Sequence, residues 1–214
     1  MPPMRRAYDT LIARAPRGTA LQSALALLEA YPSGLLQRAA DYPIRIWLLA
    51  RGEQVSSAAL LDDAARAHRW HGGRVGLADC AGLTVPIARD LLVIAPWDRP
   101  AVLHHELGHA LGALLSPPQR QDVKRLYCAA RAEQRLTVPL AGVTVGEYLA
   151  CGLAHFAQPH TRPWLVETDP ALAALCDALW GLGAQPGPTR LDRLRATLRT
   201  AWACARRSLP TLAR

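Results

Sequence analysis

The sequence lacks the long apolar runs and the paired cysteines that define several common classes of protein. No apolar segment reaches the roughly eighteen uninterrupted residues that a membrane-spanning helix needs. The five cysteines are widely spaced and form no C-x-x-C pair, so a cysteine-based zinc site is not expected. Free, mostly buried thiols in a reducing compartment fit this spacing better.

Charged residues are also few, at 20%, whereas hydrophobic residues make up 50% of the 214-residue chain. This balance excludes global disorder and predicts a globular chain with a sizeable core. The apolar segment 21–30 weakly imitates a signal peptide, but polar residues interrupt it, and we interpret it as an amphipathic helix. We therefore expect a cytoplasmic protein, with export that needs no signal as the alternative.

Positive charge is concentrated at the C-terminus. The net charge is +8, and residues 187–214 contain seven arginines and a single acid, Asp192. We predict one domain over 1–186, followed by a basic amphipathic helix in 187–214 that docks on it with a solvated arginine face. The alternative is that this segment binds nucleic acid, an acidic protein or an anionic membrane surface.

Hydrophobic periodicity predicts an α+β fold, with N-terminal helices, a small mixed sheet and further helices. Strands are predicted over residues 44–48, 74–77, 83–87 and 91–94. Helices are predicted over residues 5–14, 19–30, 57–69, 99–115, 122–136, 144–157, 170–180 and 189–207. Asp98 is expected to cap the helix that begins near Arg99, and Ser116-Pro117-Pro118 to stop it. Pro86 favours an edge position for its strand.

The predicted helix 99–115 contains the pattern H-E-x-x-H, formed by His105, Glu106 and His109. Histidines at i and i+4 project from one helix face, so both imidazoles can bind one Zn²⁺ ion. Glu106 lies beside them and is expected to exchange a proton with a zinc-bound water. The alternative is two histidines at the edge of the core and a solvated glutamate. The apolar character of the helix disfavours it, because buried titratable groups are costly without a function.

Zinc needs a third protein ligand, and the metzincin pattern does not supply one. In H-E-x-x-H-x-x-G-x-x-H the last position would be a histidine, but it is Leu115 here. The downstream methionine of that class is also missing, since the only methionines are Met1 and Met4. A carboxylate from a later helix is the other established solution.

Glu147 is the leading candidate for that ligand because it is the only acid in the apolar helix 144–157. A specific alternative exists, since Thr144-x-x-Glu147 is also a capping box in which the glutamate satisfies a helix terminus. Glu167 is the next candidate. Glu133 lies between arginines on a face that we expect to be solvated.

These two helices together resemble the gluzincin family of lethal factor-like metallopeptidases, which includes the bacterial Pro-Pro endopeptidases. The resemblance lies in the segment H-E-L-G-H-A and in E-Y-L-A-x-x-L, whose glutamate comes 38 residues after His109. It extends over about two-thirds of the chain, from residue 35 to the helix at 170. It implies a zincin-like domain with His105, His109 and Glu147 as zinc ligands and Glu106 as the catalytic base.

The chain departs from the family pattern at two positions. The family's oxyanion-stabilising tyrosine, seven residues before the glutamate ligand, is Leu140 here, and the second acidic residue of that helix is Cys151. Tyr148 and His155 are candidate substitutes for the tyrosine. Loss of one oxyanion donor typically lowers the rate by about 10² to 10³.

The sequence therefore predicts a zinc-dependent endopeptidase that holds its peptide or protein substrate as an added strand along a sheet edge in the 82–94 region. Two alternatives stay open. One is an intracellular regulatory metalloprotease of the repressor-cleaving type. The other is a non-catalytic domain, with or without metal, that binds nucleic acid through the arginine-rich segment 187–214.

Overall fold

The computed structural model describes residues 3–16, 18–59, 61 and 76–181. The helix predicted over 189–207 lies outside these residues, as does most of the helix predicted over 57–69. The division of the chain at residue 186 therefore stays a prediction, and so does every role suggested for the arginine-rich segment. Within the described ranges, no helix has the length and apolar character needed to span a bilayer.

A four-stranded mixed sheet lies at the centre of the described chain. Its strands are β1 (Ile12–Arg14), β2 (Ile44–Leu49), β3 (Leu83–Ile87) and β4 (Asp90–Pro96), in the spatial order β1-β2-β4-β3. β1 and β4 run parallel to β2, and β3 runs antiparallel to β4. β3 is therefore an edge strand, as Pro86 predicts, and Pro86 is exposed there.

Eight α-helices surround this sheet in the described ranges. They are α1 (Pro3–Leu11), α2 (Thr19–Leu28), α3 (Ser33–Asp41), α4 (Pro100–Gly112), α5 (Pro117–Ala132), α6 (Val145–Ala157), α7 (Arg162–Thr168) and α8 (Pro170–Gly181). α4 packs on β4 and also on α6, and α8 packs on the far side of α6. The α+β fold class predicted from the sequence, with N-terminal helices and a small mixed sheet, is confirmed.

Two clusters of buried apolar side chains cover the sheet. The larger contains Leu103 and Leu107 of α4, Leu153 of α6 and Val93 of β4. The smaller includes Leu49 at the end of β2 and residues of β3 and β4. Five successive residues of β4 (92–96) are buried and all of them are apolar, as expected for a strand covered on both faces.

The N-terminal region differs from the prediction in two ways. The helix predicted over 5–14 ends at Leu11, and the next three residues form β1. β1 pairs with β2, and the Arg14 guanidinium lies over the Trp47 ring (4.8 Å to its centroid) while donating to Glu53 (2.7 Å). These long-range contacts outweigh the local helical pattern. Helices α3 and α7 were not predicted.

The segment after α4 begins a helix, whereas the sequence suggested only a stop. Ser116 is the N-cap of α5, where its backbone N–H donates to Gln119 Oε1 (2.8 Å) and its hydroxyl accepts from the Gln119 N–H (3.5 Å). Pro117 occupies the first turn, where a helix needs no donor. α5 therefore starts five residues before the predicted boundary at Asp122, and α4 ends at Gly112.

Two further local predictions were wrong. Arg99, not Asp98, is the N-cap of α4, and Asp98 accepts from Arg51 Nε (3.2 Å). Leu77, the last residue of the strand predicted over 74–77, begins a 3₁₀ turn, Leu77–Asp79, and residues 74 and 75 lie outside the described ranges. The Asp79 carboxylate accepts from the Gly76 N–H (3.0 Å) and stabilises that turn. Asp98 thus accepts from a residue 47 positions away instead of capping the helix, whereas Asp79 accepts from a donor three residues before it.

Candidate metal centre

Helix α4 presents the two histidines of the H-E-x-x-H pattern to one point in space. Leu103 and Leu107 bury the opposite face of the helix in the main core, and this fixes its rotation. His105 and His109 then lie one turn apart, with ring centroids 4.8 Å apart and nearly perpendicular planes. Their Nε2 atoms are 3.1 Å from each other. The predicted i, i+4 arrangement is thus present in the structure.

Glu147 comes from the first turn of α6, which crosses α4 at unusually short distance. A Cβ atom on Gly108 would lie 2.9 Å from both Cα and O of Ala150. Only a glycine allows this backbone approach, because any side chain would separate the helices. The close crossing brings the start of α6 over the two histidines.

The carboxylate of Glu147 completes a triangle of donor atoms. Its Oε2 lies 3.0 Å from His105 Nε2 and 3.5 Å from His109 Nε2. Ligands bound tetrahedrally at about 2.0–2.1 Å from an ion are about 3.3 Å apart. The three atoms therefore have the spacing that a small tetrahedral ion requires.

Thr144 performs the helix-capping role that competed with metal binding in the sequence. Its hydroxyl accepts from the Glu147 backbone N–H (3.1 Å) at the N-terminus of α6. The Glu147 carboxylate lies against the imidazoles. In the Thr144-x-x-Glu147 pattern, the threonine side chain and the glutamate backbone N–H thus form the helix cap. The glutamate side chain contacts the imidazoles instead.

Without a metal ion, His105 and Glu147 form a buried ion pair. Burial alone would lower the pKa of His105, but hydrogen bonds with Cys151 and Glu147 outweigh it and raise that pKa to about 10. Burial would raise the pKa of Glu147, but hydrogen bonds with His105 and His109 lower it to about 2. Burying a carboxylate and two imidazoles this close together costs free energy. A cation bound between them would offset that cost.

Cys151 offers a second grouping of donor atoms. It joins His105 and Glu147 in a set whose ligand atoms all lie within 4.8 Å of one another. Its sulfur, however, is 3.8 Å from His105 Nδ1, whereas Glu147 faces Nε2 of the same ring. The His105 ring thus faces Glu147 with Nε2 and Cys151 with Nδ1. Cys151 therefore contacts the side of the ring that points away from the three donor atoms. This is where groups that orient a metal-binding histidine are found.

Glu106 lies next to the triangle without belonging to it. Its side chain is only 8% exposed, and Oε2 is 2.9 Å from the hydroxyl of Thr84 on β3. Burial raises the pKa of Glu106 above that of an ordinary glutamate, and the nearby histidines only partly offset this effect. A carboxylate that takes up a proton easily is suited to general-base work near neutral pH.

The two candidates for oxyanion stabilisation do not line the cleft. Tyr148 is fully buried, and its hydroxyl donates to Asp169 Oδ2 (2.6 Å) in the core. His155 is two turns along α6 from Glu147 and packs edge-on against Trp164, with ring centroids 4.8 Å apart. The next ligand candidate, Glu167, is exposed on α7.

An open cleft of about 460 Å³ gives access to the triangle. One wall is formed by Thr84 of β3 and by Gly82 just before that strand, and the turn after α5 contributes Leu140. Leu140, which the sequence comparison predicted to replace an oxyanion-stabilising tyrosine, is 41% exposed and lines this cleft. The sequence placed Gly82 and Thr84 only within the predicted sheet edge 82–94, because their relation to Glu106 depends on how the strand packs on α4.

The sheet, the helix pair and the triangle together define an α+β, zincin-like domain. No protein-family model matches the sequence, and no curated protein matches it. Among solved structures, the fold is similar to that of the Pro-Pro endopeptidase PPEP-2 from Paenibacillus alvei, with a TM-score of 0.56 and 17% sequence identity. The match covers 81% of this chain and 99% of that chain. At this identity the similarity concerns the fold.

Proposed function

We propose that the protein is a zinc-dependent endopeptidase. The observation that carries this proposal is the convergence of His105 Nε2, His109 Nε2 and Glu147 Oε2 at mutual distances of 3.1, 3.0 and 3.5 Å. Two imidazoles and one carboxylate are the donor set of a catalytic zinc site, which leaves one coordination position open. The fold shared with an endopeptidase supports the same class of reaction.

A zinc ion bound by these residues would supply Lewis acidity, which polarises the peptide carbonyl and makes water nucleophilic near neutral pH. Glu106 accepts a proton from the attacking water as the new C–O bond forms. It then donates that proton to the amide nitrogen as the C–N bond breaks. The position of Glu106 beside the triangle and its raised pKa suit both steps.

The substrate peptide is expected to pair with the free edge of β3. Among the described residues, β3 pairs on one side only, with β4, and the cleft is lined there by Gly82 and Thr84. An extended peptide on this edge obtains backbone hydrogen bonds, and its scissile carbonyl lies over the triangle. Binding of nucleic acid through 187–214 stays a prediction from the sequence, since those residues lie outside the described ranges.

Metal content is the first test. Elemental analysis of purified protein should find about one zinc per chain. The variants His109→Ala and Glu147→Ala should each lose most of it, because each removes one of the three donor atoms. Glu167→Ala is the matched control, since it removes an exposed glutamate on α7. Zinc retained in Glu147→Ala would contradict the proposed third ligand, and no zinc in wild type after reconstitution would contradict the metal site itself.

Cleavage is the second test. Zinc-loaded wild-type protein is incubated with a diverse peptide mixture, and new termini are identified by mass spectrometry. Glu106→Ala should keep its zinc and lose cleavage, because the variant retains the ligands and lacks the base. Equal cleavage by the two proteins would exclude Glu106 as the base and indicate a contaminating protease.

A further inference from the structure

A single hydroxyl group on strand β3 contacts both the side-chain carboxyl group and the backbone carbonyl group of Glu106. Thr84 Oγ1 lies 2.9 Å from Glu106 Oε2 and 2.7 Å from the backbone carbonyl oxygen of the same residue. Both distances are those of good O–H···O hydrogen bonds. The contact joins residues 22 positions apart, so it is a product of the fold.

The two distances suit both forms of the Glu106 side chain. A hydroxyl has one proton to donate and can accept as well. When Glu106 is a carboxylate, the one proton of the Thr84 hydroxyl is shared between Oε2 and the backbone carbonyl oxygen. When the carboxyl group carries a proton, it donates to Thr84, and the threonine proton turns to the backbone carbonyl. Neither side chain has to leave its place.

Gly82 confines the same glutamate from the other side. A Cβ atom there would lie 2.7 Å from Glu106 Cγ and 2.6 Å from Val102 Cγ1. The stem of Glu106 therefore rests directly against the backbone at residue 82. With the hydroxyl of Thr84 at its tip, the side chain has little room to rotate away from the triangle.

We infer that Thr84 is a positioning residue for Glu106, which keeps the base aligned in both of its forms. The inference rests on the proposed function. In that reaction Glu106 gains a proton from water and loses it to the leaving amine, so it must stay aligned through both transfers. Thr84 can remain hydrogen-bonded throughout, and its own proton is conserved.

The test compares Thr84→Val with Thr84→Ser. Valine keeps the shape and the strand preference of threonine but has no hydroxyl, whereas serine keeps the hydroxyl. We expect Thr84→Val to lower kcat by up to about a hundredfold, with KM and zinc content near wild type. Thr84→Ser should recover most of kcat. Thr161→Val, which removes a hydroxyl that donates to the His155 carbonyl away from the cleft, should leave kcat unchanged.

A second readout needs no activity. In zinc-loaded protein labelled with ¹³C-glutamate, the Glu106 carboxyl resonance is assigned with Glu106→Gln. Thr84→Val should shift this resonance, and Thr161→Val should not. An unmoved resonance, unchanged kcat or loss of zinc in Thr84→Val would each overturn the inference. If wild type cleaves no peptide but the resonance moves, the proposed function fails and the contact between Thr84 and Glu106 stands.

Discussion

The hydroxyl of Tyr148 donates a 2.6 Å hydrogen bond to Asp169, whose side chain is completely buried. Asp169 also accepts from Arg135 Nη1 (2.9 Å) and from the Leu172 N–H (3.1 Å) at the start of α8. One carboxylate thus links α6, α8 and the segment that follows α5. This network holds the residue that follows Glu147 firmly in the core.

We expect Asp169→Ala to destabilise the protein by about 3–5 kcal/mol, because it leaves buried hydrogen-bond donors without an acceptor. Glu133→Ala is the matched control, since Glu133 binds the same Arg135 but is 60% exposed. Its effect should stay within about 1 kcal/mol. Urea unfolding of the three proteins measures the difference, and equal losses would contradict a special role for the buried carboxylate.

Gly108→Ala should separate α4 from α6 and weaken zinc binding. The new Cβ atom would lie 2.9 Å from the Ala150 backbone, which cannot move without displacing Glu147. Gly112→Ala serves as the control in the same helix, because its Cβ would meet only the tip of the Leu149 side chain (3.1 Å). Zinc affinity is measured by competition with a chelator. Equal affinities of the two variants would show that the close crossing does not set the site.

Zinc affinity should rise with pH across the neutral range. In the metal-free protein the pKa of His105 is raised to about 10, so this imidazole carries a proton at pH 7. Zinc binds the neutral form, so binding releases a proton, and the apparent affinity should increase by up to about tenfold per pH unit below pH 10. Calorimetry in buffers of different ionisation enthalpy counts the proton, and a count of zero would contradict the ion pair.

Cys151→Ala should keep about one zinc per chain, because the sulfur faces His105 Nδ1 and not the triangle. Replacing zinc by cobalt gives a direct test, since a thiolate ligand produces intense near-ultraviolet absorption. We expect that absorption to be absent in wild type. Its presence, together with zinc loss in Cys151→Ala, would establish the alternative set of His105, Glu147 and Cys151.

Leu140→Tyr should increase cleavage. Leu140 is 41% exposed at the cleft, so a larger side chain fits without disturbing the core. If the protein is the endopeptidase proposed above, a hydroxyl at this position of the cleft would stabilise the oxyanion, and one such donor is worth about 10² to 10³ in rate. We expect a gain of at least about tenfold in kcat. Leu140→Phe is the control without the hydroxyl, and an equal gain there would point to substrate contact instead.

The candidate site residues that could be predicted from sequence are those marked by a pattern within a single helix. His105 and His109 follow from the helical repeat, and Glu147 from its isolation in an apolar helix. The approach of Gly108 to Ala150 and the contact of Thr84 with Glu106 join residues 42 and 22 positions apart. No periodicity encodes such contacts, because they depend on how whole elements pack.

Sequence patterns also predicted helix boundaries wrongly where the same pattern is compatible with two structures. The pair Pro117-Pro118 terminates one helix and equally well begins the next, and only the capping box at Ser116 decides between them. The helical pattern of residues 12–14 gave way to pairing with β2. Tyr148 is adjacent to a metal-ligand candidate in the sequence, but the partner of its hydroxyl, Asp169, comes from another helix.

The glycine contact between α4 and α6 bears on attempts to transplant this centre into a designed scaffold. Side-by-side helices usually keep their axes about 8–10 Å apart, with side chains filling the gap. A graft that copied only His105, Glu106, His109 and Glu147 onto such a pair would leave the carboxylate short of the imidazoles. The minimal transferable unit therefore includes Gly108 and the small residue that faces it, Ala150, and a designer would have to choose the backbone before the ligands.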